Sequence, residues 1–196
     1  MALKVPTSYA YSSYVGIPGE QLRQTLLEDS LWNPRWRGDS SDRLHGGARR
    51  TYLPNPVTLL DAILFGGAHE FKKVMAVCID AANALMRHVA DEPWEANRVV
   101  INKMPPHGTL HEHVDPAHFE GGVVVIGVGE AELFYRTGVG VLCVNDPHEN
   151  LVHIPPGVPH WVENGAEERV SVVVAHDVQI AAGMSAVRQK LANRGQ

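Results

Sequence analysis

The sequence predicts an α+β protein with a mainly β core, in which helices from the N-terminal half pack on one face of a β-barrel or jelly roll. Two observations predict it. Before residue 97, apolar residues recur mostly at helical spacing. From Asn97 onward the chain turns to short β-branched runs separated by Gly, Pro and Asn, at a spacing of roughly 8–12 residues. At 196 residues and 44% hydrophobic, the chain is long enough for one domain with a real core and short for two. A single domain over 1–196 is expected, with a mainly helical part over 1–96, a jelly-roll core over 97–177 and a C-terminal helix over 178–196.

Each element has a local reason. The segment Gly19 to Leu31 carries apolar residues at 22, 26, 27 and 31, which is helical spacing. Residues 32–48, with Trp32, Trp36 and Arg37, read as a long irregular loop and a candidate lid. A short strand, Arg50 to Leu53, follows and is broken by Pro54-Asn55-Pro56. A helix is expected from Thr58 to about Phe65, before Gly66-Gly67. The longest helix runs from His69 to about Ala90 on a broad apolar face, and Asp91-Glu92-Pro93 ends it. Strands are expected over Arg98–Met104, Gly122–Val128, Ala131–Arg136, Gly140–Val144, Leu151–Ile154 and Arg169–Ala175. Residues 178–194 read as a terminal helix with Arg188, Lys190 and Arg194 near its end, where positive charge suits the macrodipole.

Composition narrows the function. The net charge is −5 and there is no run of Lys and Arg, which argues against a duplex nucleic acid partner. The two cysteines, Cys78 and Cys143, each sit in an apolar run and read as buried free thiols in a reducing compartment. No apolar h-region opens the chain and no apolar run is long enough to span a bilayer, so a soluble cytoplasmic protein without a membrane partner is expected.

Histidine is the unusual count, at 11. Most fall in the second half, at 107, 111, 113, 118, 148, 153, 160 and 176. Within them stands His113-Val114-Asp115, with His160 and then Arg169 further along. Two imidazoles and one carboxylate on one face of an ion leave positions open and suit Fe(II). The same donors accept zinc, which would imply hydrolysis by an activated water. On a strand, His113 and Asp115 point the same way, and His111 shares their phase. His160 enters a different strand from a proline-rich turn, and Arg169 is expected on the strand beside it. A guanidinium there holds a carboxylate through two parallel hydrogen bonds; the plainer alternative is a surface salt bridge with Glu163 or Glu167. His118 reads as a solvated loop residue, and His153 as inward or exposed. Arg50, Tyr52 and Trp161 are candidate substrate contacts, although Trp161 has the opposite parity to His160 and packing outside the barrel is as open a reading.

The stretch Ile101-Asn-Lys-Met-Pro-Pro-His-Gly-Thr-Leu-His-Glu-His-Val-Asp115 resembles the first metal segment of the 2-oxoglutarate/Fe(II)-dependent dioxygenase superfamily. Val158 to Val174 resembles the second. The resemblance covers about residues 50–177. It implies a double-stranded β-helix, iron held by His113, Asp115 and His160, and the cosubstrate 2-oxoglutarate anchored through its C5 carboxylate on Arg169, with Asn102 nearby. Met104 stands where tyrosine is frequent. The implied reaction is hydroxylation, demethylation or desaturation of a small-molecule or modified-residue substrate, with release of succinate and CO2. A carboxylate ligand leaves no coordination site for chloride, which disfavours halogenation.

A second resemblance competes. Pro155-x-Gly157-x-x-His160-x-x-x-Asn164 is similar to the second cupin motif, and His111-x-His113, Glu120 and Gly127 to the first. In that version His111, His113, Glu120 and His160 bind the metal of a dioxygenase or isomerase, and Asp115 and Arg169 are bystanders. The residues alone also leave open a jelly-roll ligand-binding module with no catalysis. Arg169 and the helical N-terminal half favour the oxygenase.

Overall fold

A computed structural model describes residues 5–10, 13–16, 18–27, 49–54, 69–146, 150–183 and 185–186. The expected lid over 32–48 and the expected helix from Thr58 lie outside these residues. In chain order the elements are β1 (Thr7–Ala10), α1 (Gly19–Leu27), β2 (Arg49–Pro54), α2 (His69–Val89), β3 (Arg98–Met104), β4 (Thr109–His113), β5 (Phe119–Val128), β6 (Ala131–Thr137), β7 (Gly140–Asp146), β8 (Asn150–Ile154), β9 (His160–Asn164) and β10 (Arg169–Asp177).

The strands form two antiparallel sheets. One has six strands in the order β1-β8-β5-β10-β3-β2, and the other has four in the order β4-β9-β6-β7. Period-two alternation divides the apolar residues between two cores. Leu110, Val123, Val125, Leu133, Ile154 and Val162 pack between the sheets. Residues of opposite parity on the six-stranded sheet, among them Ile101, Ile126 and Val172, pack with Leu22 of α1 and Met75, Cys78 and Leu85 of α2. The sheet is therefore buried on both faces, which is why its strands read as near-continuous Val/Ile runs. The expected mainly β core with helices on one face is present.

Both helices carry suitable end charges, Glu20 in the first turn of α1 and Arg87 with His88 in the last turn of α2. After α2, the Asn83 side chain accepts a hydrogen bond from the Ala96 amide at 2.9 Å and turns the chain into β3. At the far end, residues 178–183 are helical. Asp177 caps them: its Oδ1 accepts from the amides of Gln179 (2.9 Å) and Ile180 (3.2 Å). No helix among the described residues is long and apolar enough to cross a membrane.

Three strands differ from expectation. β1 has little apolar pattern of its own and exists through its ladder with β8, Thr7 opposite His153 to Ala10 opposite Asn150. β4 is short, polar and bounded by Pro and Gly. β5 begins at Phe119 rather than Gly122 because it runs through a bulge: Ala175 pairs with Val123, but His176 pairs with Glu120. The extra residues are Gly121 and Gly122, both at positive φ (72° and 87°). A Cβ on Gly122 would overlap the Ile154 carbonyl oxygen on β8. Gly122→Ala is therefore expected to cost about 1–3 kcal/mol, read as a lower urea midpoint at unchanged m-value.

The cysteines also divide. Cys78 is buried in the helix-side core, and burial pushes its thiol up to about 12. Cys143 is exposed, contrary to the expectation of two buried thiols, because β7 is the outer strand of the smaller sheet. A disulfide-exchange reagent near neutral pH should label Cys143 in the native protein and Cys78 only after unfolding.

Candidate metal centre

The β4–β9 pairing sets the centre. Leu110 lies opposite Val162 and His113 opposite His160, so β4 carries one residue more than β9 between these pairs. That bulge at His111–Glu112 reverses side-chain parity. Without it Leu110 and Glu112 would share the inner face; with it Leu110 and His113 line the interior together. The expectation that His111 faces the same side as His113 fails for this reason: His111 is exposed. Asp115 lies two residues beyond the end of β4 and turns inward from the loop, not from the strand.

His113, Asp115 and His160 come together so that one donor atom from each lies within 4.8 Å of the others. Asp115 Oδ1 is 4.0 Å from His113 Nε2, and Oδ2 is 3.8 Å from His160 Nε2. The two rings are 4.4 Å apart at 52°. Donors about 2.1 Å from one ion at right angles would be about 3 Å apart, so a small inward movement brings these onto a metal. The imidazoles are already oriented for it. Nδ1 of His113 lies 2.8 Å from the His111 carbonyl, and Nδ1 of His160 lies 3.0 Å from the Val158 carbonyl. A carbonyl only accepts, so each Nδ1 carries the proton and each Nε2 presents its lone pair.

These donors open into a cavity of about 250 Å³. Its far wall is the inner face of β3 and β10: Arg98, Val100 and Asn102 on one strand, Arg169, Ser171 and Val173 on the other. Arg169 is only 1% exposed, so its side chain does not stand at the surface. Its stem fits because Gly129, at φ 107°, has no side chain there; a Cβ would sit 3.2 Å from the Arg169 Cα. β10 and β9 belong to different sheets, so Arg169 faces His160 across the interior rather than standing beside it as expected. Asn102 Nδ2 donates to Ser171 Oγ at 3.4 Å on the same wall. Buried Asn164 fastens the rim: its Nδ2 donates to the carbonyls of Pro105 (2.6 Å) and Glu167 (2.9 Å), tying the end of β3 to the turn that leads into Arg169.

The other candidates are dispersed. Trp161 lies on the outer face of the smaller sheet, stacked on Phe134 with centroids 5.2 Å apart and beneath the Arg136 guanidinium. Arg136 in turn makes two hydrogen bonds to Glu112, at 2.8 and 2.7 Å, which hold the Glu112 carboxyl below its ordinary range. Arg50 pairs in register with Asn102, and Tyr52 with Val100. Glu120 is exposed and lines a separate groove with His153 and His176; the cupin set of His111, His113, Glu120 and His160 is not assembled. His153 lies within 2.9 Å of the Gly121 carbonyl there. His118, expected to be solvated, lines the main cavity with its Nε2 3.7 Å from Asp177 Oδ2. Sequence reasoning missed Arg98, Ser171 and His118 as cavity residues. Strand parity with Asn102 and Arg169 was the signal for the first two.

No family model matches the sequence, and no curated protein does. Among solved structures the chain is similar to a Trichoplax adhaerens prolyl hydroxylase in complex with a hypoxia inducible factor oxygen degradation domain peptide fragment. The identity is 12% over 91% of this chain and 86% of that one, with a TM-score of 0.61. It is also similar to OsALKBH1, at 14% identity over 90% of this chain and 98% of that one, with a TM-score of 0.57. The chain has their fold.

The geometry separates the two histidines of the His111-Glu-His113 string. His113→Ala should lower Fe(II) affinity by one to two orders of magnitude or more, and His111→Ala should leave it within about twofold, by equilibrium dialysis under anaerobic conditions.

Proposed function

We propose that the chain is a non-haem Fe(II)- and 2-oxoglutarate-dependent oxygenase, built on a double-stranded β-helix that spans the chain as one domain. It oxidises a small-molecule or modified-residue substrate by hydroxylation, demethylation or desaturation in the cytoplasm. The observation that carries this reading is the burial of Arg169 in the same cavity as His113, Asp115 and His160. A metal site alone is consistent with hydrolysis or simple binding. A metal site with a buried guanidinium on the opposite wall is suited to a ligand that chelates the metal at one end and carries a carboxylate at the other.

The donor set fits iron: two neutral imidazoles with Nε2 aimed inward and one carboxylate occupy one face and leave the other open. Iron, when bound, supplies the redox chemistry that couples oxidative decarboxylation of 2-oxoglutarate to oxidation of the substrate. The chain's own residues do the rest. Arg169 fixes the C5 carboxylate with charge-assisted hydrogen bonds, strengthened by the low dielectric of its site. Asn102 and Ser171 offer polar contacts along the cosubstrate. Val125, Leu133, Ile154 and Val162 keep water from the reacting end. The carbonyls of His111 and Val158 hold the imidazoles in one tautomer and one orientation.

The test needs no substrate. Anaerobic addition of Fe(II) and 2-oxoglutarate should produce a visible charge-transfer band. Arg169→Ala should weaken 2-oxoglutarate binding by roughly 10²-fold, while Arg169→Lys keeps part of it. A band of undiminished affinity in Arg169→Ala would sink the assignment of that residue, and no band in the wild type would sink the function.

A further inference from the structure

The cavity has a second cationic end. Arg98 opens β3 and pairs with Ala175, whereas Arg169 pairs with Met104 at the close of β3. Both side chains line the same wall, with about 20 Å of strand between them at roughly 3.3 Å per residue. Val100 and Val173 fill the stretch between Arg98 and the polar Asn102–Ser171 pair. His118 joins Arg98 at this end, held in the turn that follows Asp115, where the Phe119 amide donates to the Pro116 carbonyl at 2.9 Å.

One carboxylate stands behind both. Asp177 Oδ2 is 3.5 Å from Arg98 Nη1 and 3.7 Å from His118 Nε2, while Oδ1 accepts the amides of Gln179 and Ile180. Asp177 is buried and is not part of the cavity wall, yet Arg98 and His118 keep 29% and 32% of their side chains exposed. The carboxylate therefore backs two nitrogen-bearing side chains that line the cavity. Among the described residues lining that cavity, Asp115 is the only acid, and it belongs to the candidate metal centre.

We infer that Arg98, with His118 beside it, is the anion contact for the substrate that is oxidised, so that the substrate class is a compound bearing a carboxylate or a phosphate. The inference rests on the proposed function only in taking this cavity as the place where the oxidised substrate sits. An anionic group on Arg98 leaves the rest of the molecule lying along Val100 and Val173, beside Asp115 and away from the cosubstrate anchor at Arg169.

Saturation-transfer NMR tests it on protein loaded with Zn(II) and 2-oxoglutarate. The probes are benzoate and phenyl phosphate as anions and benzamide as the neutral match. The anions should bind about tenfold more tightly than benzamide, and the tighter anion tells carboxylate from phosphate. Arg98→Gln should abolish the preference, Arg98→Lys should restore most of it, and His118→Asn should reduce it. If Arg98→Gln does not fold, the other two variants carry the comparison. Benzamide binding as tightly as the anions, a preference that survives Arg98→Gln, or anions that bind only by displacing 2-oxoglutarate each overturn the inference. The 2-oxoglutarate signals in the same samples report the proposed function separately: their absence with the anion preference intact removes that function and leaves the subsite.

Discussion

From Arg169 to Ala175, β10 has no face turned to water, and the rest of the structure follows from that constraint. Its Val170, Val172 and Val174 complete the core against the helices, while Arg169, Ser171 and Val173 form the cavity wall. A strand in this position is sealed on both sides, so any polar group on it must be satisfied inside the protein or by a ligand. The protein uses the alternation to sort them. From Val170 to Val174 the helix side is apolar, and Arg169 and Ser171 fall on the side that faces the candidate metal triad. Central placement between β5 and β3 then holds that wall, since Val170 to Ala175 are paired with a neighbouring strand on both edges.

The opposite wall is less regular. A single extra residue in β4 exchanges its inner and outer faces, and the candidate site depends on that exchange. It brings His113 into the cavity and sends His111 out. On the outside, the same bulge leaves Glu112 where Arg136 can reach it across β9. Two resemblances that shared one histidine-rich string are thereby separated by backbone geometry, not by the chemistry of the side chains.

Much of this was legible in the sequence. The β-branched runs marked β3, β5 and β10 because strands buried on both faces leave little choice of residue, alternation marked β6, and periodicity marked α2. His113, Asp115, His160 and Arg169 stood out because their types and order are unusual in an apolar background. What was not legible depended on long-range pairing. β1 exists only through β8. The bulges at His111–Glu112 and Gly121–Gly122 are set by partner strands, so residue phase alone misplaced His111. The sheet that holds Arg169 is a matter of topology, and so the residue expected beside His160 stands across from it. His118 reads as solvated in the sequence because no local pattern reports Asp177, far along the chain, behind it.

The two-sided burial of β10 also means that the cavity has a back door for variation. Val172 touches the helices and never the cavity, yet its peptide group is shared with Ser171 and Val173, which do line it. A change in helix-side volume at Val172, or at Cys78 or Leu85 in the same core, is partly relieved by movement of the closely packed strand. Such a shift moves the pocket's polar row as one piece. Selectivity in this protein can thus drift through residues that no ligand ever meets, and a search for its determinants confined to the pocket lining would overlook half of the wall.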